Sequence, residues 1–292
     1  MKNYRKKMTI TIGIPAHNEE ANIAKLLDSV LIQKDKNYLI EKIIVVSDSS
    51  KDETNNIVLE YKSKNIDLVI NPKRKGQIFG QNLIFKLAKS DLVVLFEADT
   101  YLQNELYLSK LIQPVIKDSE IGLVQGYMKP FEVKTLVQRA LNLQFKIFTK
   151  IVFVRNFSKN PIPSGRGGRV FTKRVYQNLL WPTQVPEDEY AFLWCVSRKI
   201  KVHLEKNAVC LFKFPQDVPE YLKQMQKNRS ASVTIGKYFS SEIISKNMST
   251  SYKEKIIIFL LFLYKNPLLC LVYIALRIVI SIETKNTEFV DF

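Results

Sequence analysis

The sequence predicts an α/β protein: a doubly wound, mostly parallel sheet with flanking helices, followed by an apolar helical segment at the C-terminus. Short apolar runs alternate with stretches of helical periodicity through the first hundred residues, the pattern of successive strand–helix units. Asp91 to Asp99 reads Asp-Leu-Val-Val-Leu-Phe-Glu-Ala-Asp, an unbroken apolar run that suits a strand covered on both faces. That run stops on Glu97 and Asp99, and open α/β sheets bind ligands at the carboxyl ends of their strands. Two neighbouring carboxylates in such a place are costly unless a positive group neutralises them, and a hard divalent cation is the usual solution. Taken alone, the same two acids also read as a solvated junction between strand and loop.

Met8 to Ile14, closed by Pro15, is the first expected strand. Asn18 is placed to cap a helix with Glu19 and Glu20 in its first turn, and Ile23, Leu26, Leu27, Val30 and Leu31 give that helix an apolar face. Ile43 to Val46 is a second buried strand, ending at Ser47-Asp48-Ser49-Ser50. Asp52 and Thr54 open the next helix, and Leu68 to Ile70 is a third short strand. The basic loop Lys73-Arg74-Lys75-Gly76 leads into a helix around Leu83 to Ala88, and Leu92 to Phe96 is the fourth strand. Further on, Ile121 to Gly126 reads as a strand and Thr135 to Val154 as a long helix interrupted by Arg139, Lys146 and Lys150. That helix suits a core position with a solvated basic side or, alternatively, a membrane interface. Pro161 to Arg169, with Gly165, Gly167 and Gly168, is a turn-rich loop; Pro186 to Glu189 closes a second loop before a helix over Tyr190 to Val196.

Hydrophobic residues at 46% and charged residues at 25% place the chain among folded proteins. Its formal net charge of +16 suits polyphosphate substrates, an anionic membrane surface or nucleic acid. The basic residues are dispersed among acids and no nucleic-acid module is recognisable, so nucleic acid is not an expected partner. Cys195, Cys210 and Cys270 have no Cys-x-x-Cys spacing, and with only two histidines a zinc site or disulfide framework is not expected. The N-terminal stretch has charge but no long apolar region, so no export signal is read.

Ile256 to Ile282 is apolar except at Lys265, Asn266, Pro267, Arg277 and Ser281. Its length suffices for a bilayer span, although a central lysine costs about 2.5–3.5 kcal/mol on insertion scales. Lys246, Lys253 and Lys255 precede the segment, while Glu283, Glu288 and Asp291 follow it. The positive-inside rule would keep the preceding chain cytoplasmic. The expectation is a span or re-entrant hairpin. Pro267 keeps open a pair of helices lying on the membrane or packed on the domain.

Several short signals follow one another in order: Pro15-Ala-His-Asn-Glu-Glu20 after strand one, Asp48 after strand two, Gly76 and Asn82 before strand four, and Glu97-Ala98-Asp99 after it. Glu187-Asp188 and Gln226-Lys-Asn-Arg229 come later. Over roughly residues 8 to 232 this order resembles the glycosyltransferase family 2 enzymes of GT-A fold, which use nucleotide-sugar donors. The resemblance implies a metal ion, Mn2+ or Mg2+, held by Asp99, with Glu97 standing where the family usually has Asp. It implies a donor site lined by Pro15, Ala16, Glu19, Asp48, Gly76, Glu97, Gln226 and Arg229, and Asp188 as the base that takes the acceptor proton. Gln77 stands where the family often has lysine, leaving Lys73, Arg74 or Lys75 to supply positive charge. Ser230 replaces the tryptophan that in processive synthases helps form the acceptor site, which points to single addition.

The expected activity is an inverting, metal-dependent transfer from a UDP- or GDP-sugar to a hydroxyl. The expected acceptor is a lipid-linked glycan or a cell-surface polysaccharide precursor, and the expected location is the cytoplasmic face of the cell membrane. The expected organisation is a GT-A domain over 1–250, its nucleotide-binding half about 1–125 and its acceptor half about 126–250, with a membrane-associated tail over 251–292. The alternatives are a nucleotidyltransferase, a catalytically inactive GT-A relative or, in another class, a basic nucleic-acid-binding protein.

Overall fold

The structure is a computed structural model, and it describes residues 7–34, 37–61, 65–154, 167–232, 234–248 and 252–285. The chain forms two compact units. One comprises Met1–Lys129, Pro163–Thr183 and Glu187–Phe212; the other comprises Pro130–Ile162, Gln184–Pro186 and Lys213–Phe292.

The first unit begins with β1 (Met8–Ala16), α1 (Ile23–Leu31), β2 (Tyr38–Asp48), α2 (Thr54–Glu60), β3 (Ile66–Asn71), α3 (Gln77–Leu87) and β4 (Leu92–Leu95). β5 (Tyr101–Leu102), α4 (Tyr107–Lys117) and β6 (Ile121–Pro130) follow, and β7 (Arg169–Thr172), α6 (Lys173–Tyr176), α7 (Glu187–Ser197) and β8 (Lys201–Phe212) come after α5 (Leu136–Val154). The eight strands form one sheet in the order β3-β2-β1-β4-β7-β6-β8-β5. β1 runs parallel to both β2 and β4, and β2 parallel to β3. β7 is antiparallel to β4 and to β6, and β5 is antiparallel to β8. Five of the eight strands, β1–β4 and β6, therefore run in one direction and β7 runs against them, so the sheet is mixed around the parallel strands expected. The apolar alternation of β1–β4 reports burial and carries no information about the direction of strands supplied from residues 121–212.

Strand alternation sorts the core. Ile10, Ile12 and Ile14 of β1, Leu92 and Val94 of β4 and Val170 of β7 pack with Leu26, Leu27 and Val30 of α1 and Leu108, Leu111 and Ile112 of α4. On the opposite face Phe85 of α3 meets Phe171 of β7 at 5.0 Å and Trp181 at 4.8 Å between ring centroids. Helix α1 starts at Ile23, with Asn22 in the capping position, not at Asn18. Asn18 instead adopts a left-handed φ of 55° and accepts the Lys51 N–H on its side chain at 2.9 Å. Its competing hydrogen bond to the neighbouring loop explains the displaced start.

The second unit contains α5, α8 (Val218–Ser232), α9 (Ser241–Met248), α10 (Tyr252–Lys265) and α11 (Pro267–Lys285). Ala140 and Leu141 of α5, Tyr221 of α8, and Leu276 and Ile280 of α11 share one buried cluster. Among the described residues, no helix is long and apolar enough to cross a membrane. The span expected over 256–282 is not formed, because Asn266-Pro267 divides it into α10 and α11, as a proline without an N–H does.

Candidate functional site

The carboxyl ends of β1, β2 and β4 lie side by side, and the loops that follow them carry most of the residues singled out in the sequence. Two of those loops are stitched together. The Glu19 N–H donates to Thr54 Oγ1 at 2.7 Å, the Asn18 N–H to Ser50 Oγ at 3.1 Å, and the Glu20 N–H to Asp52 at 3.1 Å. The Glu53 N–H returns a bond to Glu20 at 3.0 Å. His17 adds a bond from Nδ1 to the carbonyl of Asp48 at 2.7 Å. These bonds hold Pro15, which is half-buried, and Ala16, which is buried, against the end of β2.

Asp48 is 5% exposed and its carboxylate is fully engaged. It accepts Asn71 Nδ2 at 2.7 Å, the Lys75 N–H at 2.9 Å and the Gly76 N–H at 2.6 Å. A buried carboxylate needs such donors, and here they are supplied by the loop that enters α3. Gly76 occupies the capping position of that helix at φ +87°, a conformation that L side chains rarely adopt. The side chains of Lys73, Arg74 and Lys75 are exposed around it, and Lys75 Nζ lies 4.4 Å from the Phe79 ring centre.

Beyond β4, Phe96 remains buried while Glu97 is half-buried and Asp99 exposed. A turn closed by the Thr100 N–H on the Glu97 carbonyl at 3.0 Å separates them. Burial pushes the pKa of Glu19 up; the hydrogen bond from Asn22 opposes this, and the negative charges of Asp99 and Asp52 reinforce it. Cys210 of β8 is pushed up to about 12 by burial first, then by Glu97 and Asp99. Asp99 thus lies close enough to act on Glu19, and Glu97 and Asp99 both act on Cys210. Among the described residues, no group of three or more His, Cys, Asp or Glu side chains forms a ready-made metal cage.

Asp188 lies in the first turn of α7 between Glu187 and Glu189, and its carboxylate accepts the Glu189 N–H at 2.9 Å. Gln77, the first residue of α3, donates from Nε2 to Glu187 at 3.1 Å, joining the starts of the two helices. Trp181 Nε1 donates to the Glu187 carbonyl at 2.7 Å. Asn82 clamps the Trp181 backbone with bonds of 2.9 and 3.1 Å. Burial, then the charges of Asp188 and Glu187, push Glu189 up to about 7. Gln226 and Arg229 stand on α8 in the second unit; their side chains, like the whole of Gly165, lie outside the described residues.

Sequence reasoning missed two polar side chains. Arg169 of β7 is 2% exposed, and among the described residues its Nε and Nη1 have no hydrogen-bond partner. Gln125, its pairing residue on β6, is fully buried, and among the described residues neither of its amide atoms has a hydrogen-bond partner. An Arg that ends a Gly-Gly pair is the one local signal, and it does not reveal burial.

These features define a GT-A type α/β fold with a carboxylate-lined sheet end. Residues 11–180 match the family Glycosyl transferase family 2, and the chain belongs to that family. The chain is 29% identical over 150 residues to the probable glycosyltransferase YdaM of Bacillus subtilis, covering 49% of this chain and 35% of that protein. It is 31% identical over 127 residues to a dolichyl-phosphate beta-glucosyltransferase of Trichomonas vaginalis, covering 40% of this chain and 39% of that one. The matched stretch thus spans well under half the length of either relative. Among solved structures, the mannosyltransferase PcManGT from Pyrobaculum calidifontis, in complex with GDP-Man and Mn2+, superposes with a TM-score of 0.62 at 16% identity, covering 98% of this chain and 77% of that one. At that identity the likeness is one of fold.

Proposed function

We propose that this chain is an inverting glycosyltransferase that moves a sugar from a UDP- or GDP-linked donor to a hydroxyl acceptor on a lipid-linked glycan or cell-surface polysaccharide precursor, at the cytoplasmic face of the membrane. The observation that carries the reading is the placement of Glu19 after β1 and of Glu97 and Asp99 after β4, at the ends of paired parallel strands in a family 2 chain, with Asp99 close enough to Glu19 to help raise its pKa. Asp99 and Glu97 offer hard oxygen donors, which fits a Mn2+ or Mg2+ ion whose other ligands are phosphate and water. When bound, such an ion would offset the negative charge of the departing diphosphate.

The chain's own groups account for the rest. Pro15, Ala16 and Glu19 line the nucleoside side of the pocket. Asp48 acts as a positioning group: it fixes the Lys73–Gly76 loop, whose exposed cations face anionic substrate. Gln226 and Arg229 contribute to the diphosphate side. Asp188 takes the proton from the acceptor hydroxyl as its oxygen bonds to the anomeric carbon; the bond from that carbon to the diphosphate oxygen breaks, and the nucleoside diphosphate leaves. The exposed apolar faces of α10 and α11 support placement at a membrane surface.

The test is release of nucleoside diphosphate from a panel of UDP- and GDP-sugars, with and without Mn2+. We expect turnover of at least one donor, dependent on the ion and reduced by about 10²–10⁴-fold in Asp188→Asn with donor affinity retained. Asp99→Asn should weaken ion-dependent donor binding itself. Silence with every donor, or full turnover by Asp188→Asn, would overturn the proposal.

A further inference from the structure

We infer that the second unit carries a binding site for the phosphate-bearing headgroup of an anionic phospholipid, set where α10 turns into α11 against α5. The inference rests on the membrane-surface part of the function proposed above and not on catalysis. A cavity of about 210 Å³ opens there. Arg139 and Lys146, seven residues apart on α5, line it together with Asn142 of the same helix and Asn266 at the turn. Leu143 and Phe262 supply apolar lining. Cations and amide donors lining one cavity with apolar side chains match a phosphate carried on a glycerol backbone, and a free anion has no use for the apolar part.

Basic residues outnumber acidic ones on the helices that form the cavity. Helix α5 contains no acidic residue, and among the described side chains α10 and α11 hold Lys253, Lys265 and Arg277 against Glu283. Among the described residues, no carboxylate forms an ion pair with Arg139 or Lys146. Helix α11 begins at Pro267, directly after Asn266, so its first-turn N–H groups add partial positive charge at the cavity. Lys265 in the last turn of α10 offsets the carbonyl end of that helix.

The surface beside the cavity is apolar where water would otherwise meet it. Tyr264 is 88% exposed and Leu268 76%, and they flank Asn266 on either side of the turn. From there exposed stripes run along both helices, through Ile257, Leu260 and Leu261 on α10 and Leu271, Ile278 and Ile282 on α11. Neither helix crosses a bilayer. An apolar stripe bordered by cations is the pattern of helices lying in the headgroup region of an anionic membrane.

Flotation of the full chain with phosphatidylcholine vesicles, with and without about 30 mol% phosphatidylglycerol, tests the site. The wild type should float with the anionic vesicles, and Arg139→Ala/Lys146→Ala should weaken that binding about thirtyfold, the effect of removing two membrane-facing cations. Lys86→Ala/Lys89→Ala removes the same charge from the first unit and should change binding by less than about threefold. Asn142→Leu, which leaves the charge unaltered, should weaken binding several-fold, and an unshifted melting temperature shows that each variant is folded. If the wild type floats with neither vesicle, the membrane-surface reading falls and this site with it. If the wild type floats but the two double variants behave alike, the site falls and the membrane reading stands. Release of vesicle-bound protein by about 10 mM inorganic phosphate at constant ionic strength would show a free-phosphate site and also overturn it.

Discussion

Three carboxylates follow one another in the first turn of α7, and burial changes the chemistry of the third, Glu189. Glu189 is pushed up to about 7, first by burial and then by Asp188 and Glu187, from an ordinary value of 4.5. The folded chain therefore keeps a proton on Glu189 that the unfolded chain loses near pH 4.5. Between about pH 4.5 and 7 the folded state binds more protons, so this group's stabilising contribution is present below 4.5 and is lost as pH rises to 7. Glu189→Gln removes the dependence: its melting temperature should exceed that of the wild type by about 2–4 °C at pH 8, with the gap closing towards pH 5. Parallel melting curves across that range would contradict the assignment. Glu97, Asp99 and Asp188 were legible as residues because acids that end an apolar run, or open a helix, carry their signal locally. Arg169 was not, since its burial exists only once β7 has been inserted between β4 and β6.

The same distinction governs the elements. β1 to β4 with their helices were readable because burial on both faces leaves continuous apolar runs, although β2 and β3 extend further than those runs. β7 spans only Arg169–Thr172, too short for any periodicity, and the sequence presented it as the end of a turn-rich loop. Its place is set by a backbone contact. The Gly126 N–H donates to the Gly168 carbonyl at 2.9 Å, and a Cβ on Gly126 would collide with the Gly167 carbonyl oxygen and with the Tyr107 hydroxyl. Backbone cannot swing aside as a side chain can, so Gly126→Ala must part β6 from the start of β7. The expected cost is about 1–3 kcal/mol, measured as a fall in denaturant midpoint with an unchanged slope. A neutral substitution would show that the two chains do not approach this closely.

At the scale of the whole molecule, the C-terminal segment answers to two demands that its composition alone could not separate. Apolar residues that would suit a lipid span also suit a protein core, and periodicity cannot distinguish them until the partners are known. The structure supplies the partners for one face. Leu276 and Ile280 of α11 are buried with Ala140 and Leu141 of α5 and Tyr221 of α8, and Val137, Phe214 and Leu222 pack around them. The other face of α10 and α11 remains exposed. Cutting the chain before Ser251 therefore uncovers the apolar side of α5 and α8. The truncated chain should show rapid protease cleavage within 130–162 and 213–250 and a tendency to aggregate, while the sheet unit keeps its resistance. By contrast, Tyr264→Ser/Leu268→Ser alters only exposed side chains and should leave the melting temperature within about 2 °C of the wild type while weakening vesicle flotation. Limited proteolysis of the two variants side by side decides the matter: a truncated chain as resistant as the full one would mean that α11 contributes nothing to this core.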